Sequence, residues 1–200
     1  MAVTTNAVRK ARPGDIPALG RVLARAFDDD PVMSWMFPRD DRRPRALERF
    51  FAIRARQLIG QEQIYTTDDV AGGALWTLPD RWRMSLRDVL GQAPILPALG
   101  LRLARVLRAL SSIEHRHPET PPHFYLPTLG TDPARQGEGI GSALMAPVLA
   151  MCDAEGMGAY LESSKERNIA FYARHGFRVT EEMRMPKGPP LWLMWREPGR

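Results

Sequence analysis

The segment that most restricts what this chain can fold into is Gln136-Gly137-Glu138-Gly139-Ile140-Gly141-Ser142. It sets three glycines at alternate positions between the run FYLPTLGT and the run SALMAPVLAMCDAE. The first run is strand-like and the second helix-like, so the glycines occupy a strand-to-helix corner. A corner of bare backbone leaves the first-turn amides of the helix facing outward with no Cβ beside them. Those amides and the helix dipole favour an anion, and a pyrophosphate suits the width of such a loop. Two better-known phosphate loops are excluded by spacing. A P-loop needs a lysine after the glycines, and a dinucleotide fingerprint needs a third glycine where Ser142 stands. Taken by itself, the corner also suits a glycine-lined turn that binds nothing.

At 200 residues with 44% hydrophobic content, the chain can build one ordinary core and would be cramped with two. One domain over residues 1–200 is expected. The opening stretch MAVTTNAVRKARPGD has no apolar targeting core, and the greasiest later run, ILPALGLRLARVL, carries arginines before it reaches membrane-spanning length. The expectation is a soluble, cytoplasmic protein with no membrane partner. The lone cysteine, Cys152, removes any intrachain disulfide framework and reads as an inert, half-buried thiol. Lys+Arg 28 against Asp+Glu 23 gives a net charge of +5, which invites a nucleic-acid reading. The arginines, however, are spread from Arg9 to Arg200 without a CxxC pair, an RNP-like motif or a basic tail. A solvated surface that attracts a small polyphosphate is expected, and no nucleic acid.

Along the chain, AVRKAR reads as a first strand. Ile16, Leu19, Leu23, Ala26 and Phe27 then follow at helical spacing behind Asp15 as a cap. DDDPVMSWMFPRDDRR reads as a loop, and PRALERFFAIRARQLIG as a helix closed by Gly60. QIYTT and VAGGALWTL read as strands joined by a turn at Asp68 and Asp69, with Gly72 and Gly73 suggesting a bulge. Residues 80–118 read as a helical, arginine-rich insert whose stripe of Leu96, Leu99, Leu103, Val106, Leu107 and Leu110 packs on the core. After the break HPETPPH, strands and helices alternate to the end. The fold class is α/β (α+β), one domain around a mixed sheet.

The pattern Q-x-x-G-x-G at Gln136–Gly141, directly after a strand and followed about thirty residues later by NIAFYARHGF, resembles the acetyl-CoA-binding motifs of the GNAT-type N-acetyltransferases. AFDDDP, ALWTLPD, AYLESSKERNIAFYARHGFRV and MPKGPPLWLMWREPG extend the resemblance, in order, to the puromycin N-acetyltransferases; it weakens in VMSWMFPRDDRR and across 80–118. The resemblance implies a mostly antiparallel central sheet of about six to seven strands flanked by helices. It implies coenzyme A held by Gln136, Gly137, Glu138, Gly139, Ile140, Gly141, Ser142 and Asn168. Free main-chain groups at Leu129, Gly130 and Thr131 would hold the pantetheine and polarise the carbonyl where two strands part. Tyr172 would be the general acid; a phenol is not far above a thiol in acidity and can return a proton to the departing sulfur.

Glu162 is the best acidic candidate for a general base, although a carboxylate at a strand end is often only a structural acceptor. Asp28, Asp29 and Asp30, with Trp35, are candidates for receiving the acceptor, against helix capping or solvation. His115 and His117 flank Arg116 without a nearby acid or cysteine to complete a zinc site, so no metal is expected; His175 reads as a helix cap. The expected reaction is acetyl transfer to a primary amine of a small molecule, such as the aminonucleoside antibiotic puromycin. The alternatives are a protein or peptide acceptor, and a coenzyme A-sensing module without turnover. The sequence leaves the oligomeric state open.

Overall fold

The computed structural model describes residues 7–199, so the first six residues of the opening stretch lie outside the description. Seven strands form one sheet: β1 (Val8–Lys10), β2 (Ile64–Thr67), β3 (Gly72–Thr77), β4 (His123–Thr131), β5 (Gly158–Ser163), β6 (Arg178–Arg184) and β7 (Pro190–Arg196), ordered β1-β2-β3-β4-β5-β7-β6. Every pairing is antiparallel except β4 with β5. This is a GNAT-like α/β fold with a mostly antiparallel sheet.

Both faces of the sheet are covered, which is why β2 and β3 are buried at every position. On one side lie α1 (Ile16–Ala26) and α3 (Arg43–Leu58). The apolar residues of α1 recur at helical spacing, and Leu19 and Leu23 are 0% exposed. On the other side lies α7 (Ile140–Glu155), which buries Leu144, Met145, Val148 and Cys152 and runs on through Pro147.

β4 and β5 pair over only three residues, His123↔Gly158 to Tyr125↔Tyr160, and then part. Pro127, two residues on, has no N–H to offer a neighbour, which suits it to a strand stretch left unpaired on one side. The main-chain groups of β4 beyond Tyr125 therefore lack a partner on the β5 side, while β3 continues to pair on the other as far as Thr131.

Several local expectations need correction. The loop read at DDDPVMSWMFPRDDRR contains a short helix, α2 (Pro31–Met36), because Asp30 accepts from the amides of Val32 at 2.9 Å and Met33 at 3.1 Å. Asp15 makes no capping bond to α1; its carboxylate is taken by the Arg9 guanidinium and the Arg12 amide. Gly72 and Gly73 do not bulge against β2; the irregularity lies between Leu75 and Thr77 against β4. The insert breaks into α4 (Leu86–Gly91), α5 (Leu96–Leu99) and α6 (Leu103–Glu114). Only part of its stripe reaches the core: Leu99 and Val106 are buried, whereas Leu96, Leu107 and Leu110 are exposed. The interruptions come from Pro94, Pro97 and the positive φ of Gly100, so one periodicity cannot run the length of the insert.

Gly72 is required by a close approach. A Cβ there would lie 2.7 Å from the Gly130 carbonyl oxygen and 3.1 Å from Leu144 Cδ1. Gly72→Ala is expected to cost about 1–3 kcal/mol in urea unfolding, while Gly60→Ala, where nothing lies within 4 Å, stays within about 0.5 kcal/mol. Cys152 is fully buried, and burial pushes its thiol up to about 12. The folded protein should therefore be inert to a disulfide reagent that titrates one thiol after denaturation; prompt labelling of the native chain would contradict this packing.

Candidate active site

The gap between β4 and β5 opens into a cleft of about 400 Å³ that runs from the glycine corner to Glu162. Its glycine-lined end is built on α7. Gly139 is the N-cap at φ 78° and no side chain caps the helix, so the first-turn amides are unclaimed by the protein. Gly137 (φ 88°) and Gly139 lie in the left-handed region, and a Cβ on either would meet nothing within 4 Å. The backbone path therefore calls for glycine and the space in front of it is open. Arg135 braces the corner by bonding Glu138 at 2.8 Å and Asp69 at 2.8 Å. That pairing, the side-chain bond above all, holds the Glu138 carboxyl below the usual carboxylate range. Arg167 and Arg174 also line the cleft, so its rim is cationic.

Along the middle of the cleft run the unpaired edge of β4, including Leu129, Gly130 and Thr131, and the side chains of Asn168, Phe171 and Tyr172. Asn168 and Tyr172 stand four residues apart at α8 (Ile169–Ala173), on one face. Tyr172 is buried, and its hydroxyl makes no hydrogen bond among the described residues. Burial, with the Asp30 charge adding to it, pushes this phenol up, so it keeps its proton until a strong base forms beside it. Ser142 and His175 share a hydrogen bond of 2.9 Å, and the His175 ring packs edge-on against Phe171. His175 therefore ties the corner to α8 through its ring rather than serving as a simple cap.

At the far end, Glu162 projects from β5. Its Oε2 accepts from the Tyr125 hydroxyl at 2.7 Å, and its Oε1 is buried without a hydrogen-bond partner. The Tyr160 hydroxyl beside it is also unpartnered. Burial and the Glu162 charge push both tyrosines up, so both remain neutral donors. His117 and His123 pack against these rings, with Trp82 stacked on His117, behind Glu162 and outside the lining of the cleft.

The structure brings Tyr172, Glu162, Asp30, Leu129, Gly130, Thr131, Gln136, Gly137, Gly139, Ile140, Gly141, Ser142 and Asn168 onto one cleft. Glu138, Asp28, Asp29 and Trp35 do not line it. Asp28 pairs with Arg43, and Asp29 with Lys165 and Arg167. The Trp35 indole N–H donates to the Lys187 carbonyl at 2.7 Å, joining α2 to the β6–β7 hairpin. Asp30 accepts from the Ser164 hydroxyl as well as capping α2; burial, the dominant influence, raises its carboxyl above the usual range. Sequence reasoning missed the aromatic end altogether. Tyr125, Tyr160, Trp82, His117 and His123 come from four separate stretches, and only the spacing of Tyr125 and Glu162 along neighbouring strands hinted at one shared face. Among the described residues no cluster of three His, Cys, Asp or Glu is placed to hold a metal.

The family model of the GNAT acetyltransferases matches residues 22–177. An uncharacterized N-acetyltransferase of Schizosaccharomyces pombe is 26% identical over 215 residues, covering 96% of this chain and 83% of that protein. Among solved structures, the fold is similar to "histone acetyltransferase HPA2 and related acetyltransferase" from Corynebacterium glutamicum, at TM-score 0.69 and 25% identity over 96% of both chains. It is also similar to arylalkylamine N-acetyltransferase 2 from Aedes aegypti, at TM-score 0.64 and 10% identity, covering 96% of this chain and 99% of that one.

Proposed function

The chain belongs to the GNAT acetyltransferase family and is an acetyl-CoA-dependent N-acetyltransferase; we propose that its acceptor is the primary amine of a small molecule, an aminonucleoside such as puromycin being the first to test. The observation that carries this reading is a single carboxylate, Glu162, at the end of the cleft away from the glycine corner, with the rings of Tyr125, Tyr160, His117 and Trp82 packed behind it. The Trp35–Lys187 bond fastens α2 to the β6–β7 hairpin on the same side of the sheet. One carboxylate with apolar backing suits a compact amine that docks a single ammonium against it. The name of one relative refers to histones and that of another to arylalkylamines, so relatives support both acceptor classes.

Each residue on the cleft then has a task. Amides of residues 139–142, supported by Arg135, Arg167 and Arg174, hold the pyrophosphate. The free β4 edge at 129–131 hydrogen-bonds the pantetheine and donates to the thioester oxygen, where negative charge grows during attack. Acetyl-CoA, when bound, supplies the activated acyl group. Asn168 positions it, Glu162 takes a proton from the acceptor ammonium, and Tyr172 delivers one to the sulfur. Asp30 balances the cation as the amine enters. The whole activity resides in one domain.

The test is thiol release from acetyl-CoA with puromycin, a panel of aryl and aliphatic amines, and lysine-bearing peptides, alongside acetyl-CoA calorimetry. Turnover with puromycin or another small amine is expected; turnover confined to peptides would overturn the acceptor class, and binding without turnover on any amine would point to a sensor. Tyr172→Phe should lower kcat roughly 100-fold or more while leaving acetyl-CoA affinity within about twofold. Unchanged kcat would remove Tyr172 from the acid role.

A further inference from the structure

Behind Glu162 lies a row of hydrogen-bonding atoms with one fixed end. His123 Nδ1 lies 2.8 Å from the Pro121 carbonyl oxygen. A carbonyl only accepts, so His123 carries its hydrogen on Nδ1 and, when neutral, a lone pair on Nε2. His117 Nε2 lies 3.1 Å from that lone pair and so carries a hydrogen. This leaves His117 Nδ1, which faces Glu162 Oε1 across 3.8 Å. With His117 neutral, that gap holds a lone pair opposite a carboxylate and no hydrogen at all. Glu162 Oε1 is buried without a partner, which is the same vacancy seen from the other side.

The His117 ring is held for this geometry. Its side chain is 3% exposed and is stacked on Trp82 with ring centroids 3.8 Å apart. Tyr125 and Tyr160 meet it edge-on. Beyond these, the charges acting on this cluster are Asp80 on His123, Arg54 on Tyr125 and Glu181 on Tyr160. Desolvation keeps His123 neutral, which preserves its lone pair.

We propose that His117, with its tautomer set by His123, is the positioning residue that makes Glu162 a base. The His117 Nδ1–Glu162 Oε1 gap is where the one proton released by acetyl transfer comes to rest. This rests on the reading of Glu162 as the base. The protons balance as follows. The acceptor ammonium loses two in becoming an amide: the first passes to Glu162 and is held on Oε1, facing the His117 Nδ1 lone pair across the 3.8 Å gap. The second replaces the one that Tyr172 has given to the leaving sulfur, and the stored proton then leaves for solvent. The vacancy explains why a carboxylate bonded to one tyrosine is still ready to accept.

The first test needs no turnover. Nitrogen-15 imidazole spectra of the whole protein at mildly alkaline pH should show hydrogen on Nδ1 of His123 and on Nε2 of His117. A neutral His117 with hydrogen on Nδ1 would overturn the proposal. The second test is kinetic, with puromycin as acceptor. His117→Gln should reduce kcat roughly 10-fold or more, while the acetyl-CoA KM stays within about twofold. A folded variant with unchanged kcat would overturn the role. If puromycin is not acetylated, the acceptor reading fails by itself, and the spectra still decide the proton site.

Discussion

The architecture depends on the point at which two parallel strands stop pairing. β4 and β5 share three residue pairs and then separate, leaving a row of main-chain groups on β4 without a strand partner in the middle of the sheet rather than at its edges, β1 and β6. Exposed strand edges are ordinarily a hazard that proteins cover or blunt. Here the edge opens into the cleft, walled on one side by the glycine corner of α7 and on the other by α8 and Glu162. An extended molecule with amide groups fits the missing strand position without needing dedicated side chains.

The two jaws of the cleft come from distant parts of the chain and are joined by polar contacts. Asp29 pairs with Lys165 and Arg167, and the Ser164 hydroxyl donates to Asp30. These contacts link the segment before α2 to the turn before α8, so the acidic run AFDDDP and the run ESSKERN are one structural unit. Of the three aspartates only Asp30 reaches the cleft, and it does so while capping a helix. A carboxylate bound into a cap and a hydroxyl is preorganised, and it can influence Tyr172 through its charge without moving.

The glycine corner was legible in the sequence because its geometry is local. The alternating glycines, the helix behind them and the Asn168–Tyr172 spacing are all short-range patterns, and each maps to one place in the fold. The aromatic end was not legible because it is assembled across the sheet. His117 and His123 flank a proline-rich break, and nothing in HPETPPH reveals that their rings meet at 3.1 Å beneath Glu162. The insert was misread for a related reason. Leucine spacing in residues 96–110 fits a helix, but Gly100 turns the chain at φ 50°, and in α6 Ala109 joins Val106 on the inward face while Leu107 and Leu110 are exposed. The short helix α2 hid in a charged, proline-containing stretch because Asp30-Pro31 reads equally well as a turn or as a cap.

Binding through an unpaired strand edge also shapes how the protein tolerates change. The groups that matter between Leu126 and Thr131 belong to the peptide backbone, so replacing one side chain leaves the donors and acceptors in place. Sequence drift in that stretch is limited by packing against α1 and α7 rather than by chemistry, and Gly130 illustrates the limit, since a Cβ there would lie 2.8 Å from Leu23. Proline is the one residue that deletes such a donor outright, and the strand already carries it at Pro127. Robustness to substitution and an edge of open backbone groups thus come from the same parted strands.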